Sequence, residues 1–166
     1  MALLPIIHVP DTVLRQTAQP VRDITDATRQ MLDDMAETMY DAPGIGLAAN
    51  QIGSLDRLIV MDCGSDEAPE LWQMINPEII WSSEESSTLE EGCLSIPGHN
   101  AEVIRPAEVR ARYLDIDGKP QEMEADGLLA ACIQHEIDHL NGVLFIDHLS
   151  RLKKSMIWKK VMKAAR

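Results

Sequence analysis

Two histidines four residues apart, in His135-Glu136-Ile137-Asp138-His139, are the residues of this chain best suited to chemistry. On a helix, residues i and i+4 share one face with Cβ atoms about 5–6 Å apart, so the two imidazoles can hold one divalent cation between them. Glu136 is turned about 100° from His135 by the helical period. It stands aside from the ligand pair, within reach of a water on the cation, which is the pairing used in general-base hydrolysis. The same residues also fit two histidines buried for structural reasons alone. Asp138 fits either an orienter of a ligand or a solvated charge.

A catalytic metal needs a third protein ligand, and Cys132, Cys93 and His148 are the candidates. Cys132 shares the helix face but lies seven residues from His139, a rise of about 10 Å. His148 follows Gly142 and a short apolar run. Cys93 stands within Glu90-Glu-Gly-Cys-Leu-Ser-Ile-Pro-Gly98, whose glycine and proline punctuation can bring backbone against the helix. Spacing leaves the choice open, and Cys63 and Cys132 read most simply as small buried hydrophobes.

The other glycine-rich stretch is Gly44-Ile-Gly-Leu-Ala-Ala-Asn-Gln-Ile-Gly53. Gly44, Gly46 and Ala49 match a dinucleotide fingerprint, and Asp62 ends a later strand. That fingerprint requires a strand before it and a helix after it, whereas here an amphipathic helix leads in and a strand follows. What remains is a loop whose bare backbone approaches a ligand, with the Gln51 amide as a donor.

These residues must be held by elements that periodicity outlines. Ile24, Met31, Leu32, Met35 and Met39 recur near the 3.6 period and predict a helix from about Asp26 to Tyr40, capped by Asp23 or Thr25 and stopped at Pro43-Gly44. A second helix, from about Gly127 to Leu140, carries the histidines and halts at Asn141-Gly142. A third begins near Ser150 and is expected to pack through Leu152, Met156, Ile157 and Val161. Leu58–Met61 reads as a buried strand, and Leu71–Ile75 and Ile79–Trp81 flank an Asn76-Pro77 turn signal. Ala107, Val109, Ala111 and Tyr113 alternate with polar residues, and beyond the Asp117-Gly118 turn Met123 and Ala125 continue the pattern as an antiparallel partner. Ser82 to Ser87 reads as a surface loop. Strands in adjacent blocks, without alternating helices, predict an α+β fold: mainly antiparallel strands around a central metal-binding helix, with a C-terminal helix. The expected organisation is one catalytic domain over residues 1–150 and a basic helix over 151–166, packed on it or extending from it.

At 166 residues and 45% hydrophobic the chain has the material for one packed core and is not disordered. Aromatics at 4% argue against a base-stacking nucleic-acid module. The net charge of −12 is uneven: residues 151–166 hold seven bases and no acid, +7, which leaves 8 bases and 27 acids, −19, in the first 150. Three cysteines without C-x-x-C spacing predict no disulfide framework and a reducing compartment. The apolar start, Met1 to Ile7, lacks a basic region and is broken by Pro5 and Pro10, so it does not read as a signal peptide. No run approaches the roughly 18 apolar residues of a membrane span. The expectation is a soluble, cytoplasmic protein with no membrane and no sequence-specific nucleic-acid partner.

Taken together, Gly44-Ile-Gly-Leu-Ala-Ala-Asn-Gln51, Glu91-Gly-Cys-Leu-Ser-Ile-Pro97 and Gln134-His-Glu-Ile-Asp-His139 resemble the three signature motifs of peptide deformylase. The resemblance extends over nearly the whole chain, including Pro10-Asp-Thr-Val-Leu-Arg15 and Glu124-Ala-Asp-Gly-Leu-Leu-Ala130. It implies a hydrolase that removes the formyl group from the initiator methionine of nascent chains and releases formate, by attack of a metal-activated water. Carried over position by position, it implies Cys93, His135 and His139 as ligands and Glu136 as general acid/base. It further implies Gln51, by its side-chain amide, and Leu94, by its backbone N–H, as stabilisers of the oxyanion. The peptide would lie as an added strand along Gly44 to Leu47, with Gly46, Leu47 and Gly92 among the substrate-binding positions. Ile45, Leu89, Leu128, Ala131 and Cys132 would line the methionine pocket. The metal implied is Fe2+ in the cell, replaceable by Zn2+, Ni2+ or Co2+, whereas coordination arguments alone read the donor set as zinc. N-formylmethionyl nascent peptides are then the substrates, and the basic C-terminal helix makes the ribosome a candidate partner.

One departure stands out, since many members carry an arginine that helps hold the peptide where this chain has Asn100. Two rival readings share the histidine motif. A short zinc protease is disfavoured because it places its third ligand downstream of the helix, and a structural metal module because it wants a fourth ligand.

Overall fold

The computed structural model describes residues 2–165, so Met1 of the apolar start and Arg166 of the basic tail lie outside the described residues. Helix α1 (Asp26–Asp41) begins at Thr25, whose hydroxyl accepts the Thr28 N–H while the Thr28 hydroxyl accepts that of Thr25. That reciprocal capping makes Thr25, and not Asp23, the helix start. The strands follow as β1 (Gly46–Ala48), β2 (Leu58–Asp62), β3 (Leu71–Ser82), β4 (Ser86–Cys93), β5 (Ile96–Pro106), β6 (Glu108–Leu114) and β7 (Pro120–Asp126), and then come α2 (Gly127–Leu140) and α3 (Arg151–Ala164). Five strands form one sheet in the order β1-β2-β3-β6-β7, β4 and β5 form a separate hairpin, and every strand pairing is antiparallel. The class is α+β, as the strand blocks predict.

The sheet lies between two helices. Successive side chains of a strand point to opposite faces. Leu58 and Val60 of β2 therefore meet Leu32, Met35 and Met39 of α1, while Ile59 and Met61 meet Ala130, Ile133 and Ile137 of α2. Both faces of β2 are covered, which is why its apolar run is unbroken. A third cluster, with Leu14, Ile96, Val103, Phe145 and Ile146, closes over α2 from the hairpin side. Helix α2 is thus enclosed, and every residue from Ala130 to Leu140 except Asp138 is buried.

Four sequence expectations are corrected. Asn76-Pro77 is not a turn: β3 runs through it with a register shift opposite β6, and Asn76, at φ 53°, uses its side-chain amide to bond both Val21 N and Val21 O. The signal belongs to a bulge. The loop expected over 82–87 shrinks to three residues, because Ser82 ends β3 and Ser86 opens β4. The glycine-rich stretch is strand β1 followed by a 3-10 turn (Ala49–Ile52), so its backbone is ordered by pairing with β2 rather than left as loop. Finally, α3 buries only Val161, with Ile157 and Trp158 leaning on the third cluster; Leu152 and Met156 are exposed.

Candidate metal centre

Helix α2 sets His135 and His139 on one face with their Nε2 atoms 3.2 Å apart. Cys93 reaches them from the end of β4, where the hairpin register slips from Gly92↔Asn100 to Cys93↔Ile96. Its Sγ lies 3.3 Å from His139 Nε2, and one donor atom from each of Cys93, His135 and His139 falls within 4.8 Å of the others. Of the three candidates for a third ligand, only Cys93 joins the cluster. The Cys132 sulfur turns instead to the Ile45 carbonyl at 3.6 Å, and His148 Nε2 pairs with Asp138 at 2.8 Å.

The cluster is fixed from behind by buried charge. Glu91 Oε1 lies 2.9 Å from His135 Nδ1, which leaves the other ring nitrogen facing Cys93 and His139. Arg105 grips Glu91 with two bonds, 2.7 and 2.9 Å, and donates to Asp138 at 2.8 Å. Asp138 therefore belongs to Arg105 and His148, and does not orient His139. Burial alone would raise the Glu91 carboxyl, but the bonds to His135 and Arg105 outweigh it and hold it at about 2.

Burial pushes the His139 imidazole well below its ordinary range. His135 is opposed by burial yet raised to about 10 by Cys93, Glu136 and Glu91. Rings this close cannot both be imidazolium. A divalent cation fits among these donors, which bind it as a thiolate and two neutral imidazoles.

Gln51 lies beside the cluster with its amide orientation set by the backbone: Ala48 N–H donates to its Oε1 at 2.9 Å, and its Nε2 donates to Ser95 Oγ at 3.0 Å. The second N–H of the amide remains on the Cys93 side, with Nε2 3.6 Å from the sulfur. Ser95 is fully buried and was not singled out by sequence; its place two residues after Cys93 was the available signal. Glu136 is buried, its Oε1 lacks a partner, and burial pushes its carboxyl up to about 7. A Cβ at position 46 would overlap Glu136 Oε2 and stand 3.0 Å from the Cys132 sulfur, so only glycine lets β1 come this close.

These groups open on a cleft of about 650 Å³ lined by Ile45, Gly46, Leu89, Gly92, Leu128, Ala131 and Cys132, with Gln51, Leu94, Cys93, His135 and Glu136 at its inner end. Leu47 is placed elsewhere: its side chain is fully buried in the α1 cluster, and it does not line the cleft. Asn100, the departure from the family's peptide-holding arginine, lines the cleft; Ile6, His8 and Pro43 also line it without a sequence signal, because loops bring them there. Strand β1 is an edge of its sheet among the described residues, paired on one side with β2.

The family model of polypeptide deformylase matches residues 3–155. The chain is similar to a peptide deformylase of Mesorhizobium japonicum, 58% identical over all of this chain and 95% of the relative, and to one of Brucella suis, 56% identical over 99% and 95%. Among solved structures it is similar to a peptide deformylase of Legionella pneumophila, at TM-score 0.92 and 46% identity over 99% of this chain and 96% of that one. The Ehrlichia chaffeensis peptide deformylase in complex with actinonin matches at TM-score 0.93 and 40% identity, over 100% and 99%.

Proposed function

Because the chain belongs to the polypeptide deformylase family, we propose that it hydrolyses the formamide bond of N-formylmethionyl nascent peptides, releasing formate and a free amine. The observation that carries this reading is the Cys93, His135 and His139 cluster beside Glu136 at the inner end of an apolar cleft. Cys93, His135 and His139 would hold a divalent cation, which when bound supplies a Lewis acid and lowers the pKa of water.

Glu136 takes a proton from the attacking water at its carboxylate and passes it to the departing amine nitrogen, so that a C–O bond forms as the C–N bond breaks. The N–H of Gln51 that faces the Cys93 sulfur and the backbone N–H of Leu94 donate to the formyl oxygen as it becomes negative. Gln51 gives up only a long bond to sulfur by doing so, since its other N–H and its carbonyl stay engaged. The peptide adds as a strand along Gly44 to Leu47, an arrangement supported by the free edge of β1. The methionine side chain enters among Ile45, Leu89, Leu128, Ala131 and Cys132.

The cation in the cell is Fe2+, replaceable by Zn2+, Ni2+ or Co2+; the family resemblance supports iron, and the thiolate and imidazole donors accept all four. The protein acts in the cytoplasm, a reading supported by three free cysteines. In the described residues no helix is long and apolar enough to cross a membrane. Residues 1–150 form the catalytic domain, and helix α3 docks on the ribosome through its lysines. Removing residues 151–166 should abolish co-sedimentation with ribosomes at low salt, and undiminished binding would clear the helix of that role. For the ligands, Cys93→Ala should empty the site of metal and stop formate release while Cys132→Ala keeps its metal. The reverse pattern would overturn the assignment.

A further inference from the structure

Behind the metal cluster, two carboxylates each join Arg105 to a histidine. Glu91 Oε1 meets both Arg105 Nη2 and His135 Nδ1, each at 2.9 Å. Asp138 Oδ2 meets both Arg105 Nη1 and His148 Nε2, each at 2.8 Å. The result is one unbroken chain, His135 to Glu91 to Arg105 to Asp138 to His148, whose first member belongs to the metal cluster and whose last reaches the surface. The side chains of Arg105 and Glu91 are 5% and 8% exposed, against 25% for Asp138 and 35% for His148. His148 has no part in the chemistry proposed for the site, and its Nε2 is engaged by Asp138 rather than turned to the cluster.

The segment that carries His148 also meets His135 directly. Phe145 and His148 are the first and last residues of a 3-10 turn, Phe145–His148. The Phe145 ring is stacked on that of His135, with centroids 6.1 Å apart and planes inclined by 20°. Asp147, in the same turn, is tied to Arg15, to Lys154 and to the Leu144 N–H, which fixes the turn in place. One turn thus touches the face of His135 through Phe145 and the far end of its hydrogen-bond chain through His148.

The chain sets two carboxylates in competition for one guanidinium. Arg105 gives two N–H bonds to Glu91 and one to Asp138. A carboxylate only accepts, so His148 supplies Asp138 with a second N–H on the same oxygen that Arg105 reaches. With that donor in place Asp138 is satisfied, the guanidinium fork stays square on Glu91, and Glu91 stays where its Oε1 meets His135. Without it, Arg105 is the one side chain bonded to Asp138 among the described residues, and the fork turns away from Glu91. We infer that His148 is a positioning residue of the metal centre, which through Asp138, Arg105 and Glu91 holds the His135 ring in the orientation that binds the cation. The inference rests on the metal-holding part of the function proposed above and on none of its formyl chemistry.

The test compares His148→Phe with His148→Gln in the full-length protein, since glutamine offers a side-chain N–H in place of the histidine Nε2–H. Zinc affinity, read by competition with a chromophoric chelator, should fall about tenfold in His148→Phe and stay within about twofold of the parent in His148→Gln. Tenfold is the lower end of the roughly 10–100-fold that partners behind a ligand contribute, because His148 acts through three other side chains. With Co2+ in place of zinc, the visible absorption bands should shift in the first variant and not in the second, a readout of the ligand field that folding alone does not move. His148→Ala serves as the second deletion in case phenylalanine overfills the site. In an Asp138→Asn background the effect of His148→Phe should disappear. A lowered urea midpoint with zinc affinity and cobalt bands at the parent's values would make His148 a structural contact only and overturn the inference. Equal losses in the phenylalanine and glutamine variants, or a loss that survives Asp138→Asn, would overturn it as well. The expected zinc loss in a protein that releases no formate would sustain the inference and sink the deformylase reading instead.

Discussion

Glu136 is the residue whose surroundings say most about its work. It is buried, carries an oxygen without a partner, and is met by a glycine at the one place where a side chain would block it. Glu136→Ala should keep its metal, because the ligands are held independently by Glu91 and the β4–β5 turn, and should lose about 10²–10⁴ in rate on a formylmethionyl peptide. Metal analysis beside a formate assay checks both halves, and unchanged turnover would remove Glu136 from the chemistry. The histidines and Glu136 were legible in the sequence because i, i+4 spacing on a helix is a fixed geometry. Cys93 was not, since its approach depends on a register slip between β4 and β5 that no spacing records. The motif resemblance named it, and the structure brings its sulfur to His139.

At the scale of elements, the β4–β5 hairpin and strand β1 present the site, and these were the elements that periodicity did not find. The inner face of the hairpin is occupied by Glu91 and Arg105 as well as by Val103 and Ile96, so its hydrophobic alternation is broken where the buried ion pair sits. Arg105 binds two carboxylates from behind the histidines. Arg105→Ala should cost about 3–5 kcal/mol, as the buried Glu91 loses both guanidinium bonds and keeps only His135, and denaturant melts of the metal-loaded protein would show it. β1 was read as loop because its glycines serve close approach and not flexibility. Gly46→Ala should fold, since φ there is ordinary, but displace Glu136 and lower kcat about 10²-fold. A rate within twofold of the parent would mean that the contact is soft. The Asn76-Pro77 signal misled because a bulge and a turn use the same residue types.

Segments distant in the sequence are tied together by Asp147, which takes Arg15 in a two-pronged bond at 2.6 and 3.2 Å, Lys154 of α3 at 2.8 Å and the Leu144 N–H at 3.0 Å. Burial opposes the charge, but Arg15 and Lys154 hold the carboxyl at about 2. Because the folded value lies below the unfolded one, the contribution is complete at neutral pH and is lost as pH falls from about 4 through 2. Asp147→Asn should be about 1–2 kcal/mol less stable than the parent at neutral pH and equal to it near pH ~2, as urea melts across that range would read. The layered core and fold class were legible from the apolar run of β2 and the α1 stripe, while the exposure of Leu152 and Met156 was not, because a short helix lying on a surface buries a narrower stripe than its sequence offers. The account stands or falls on what the metal-loaded protein releases. Anaerobically prepared protein given a formylmethionyl peptide and its unformylated counterpart should yield one formate per free amine from the first and nothing from the second. Cleavage of the peptide bond without formate would contradict it.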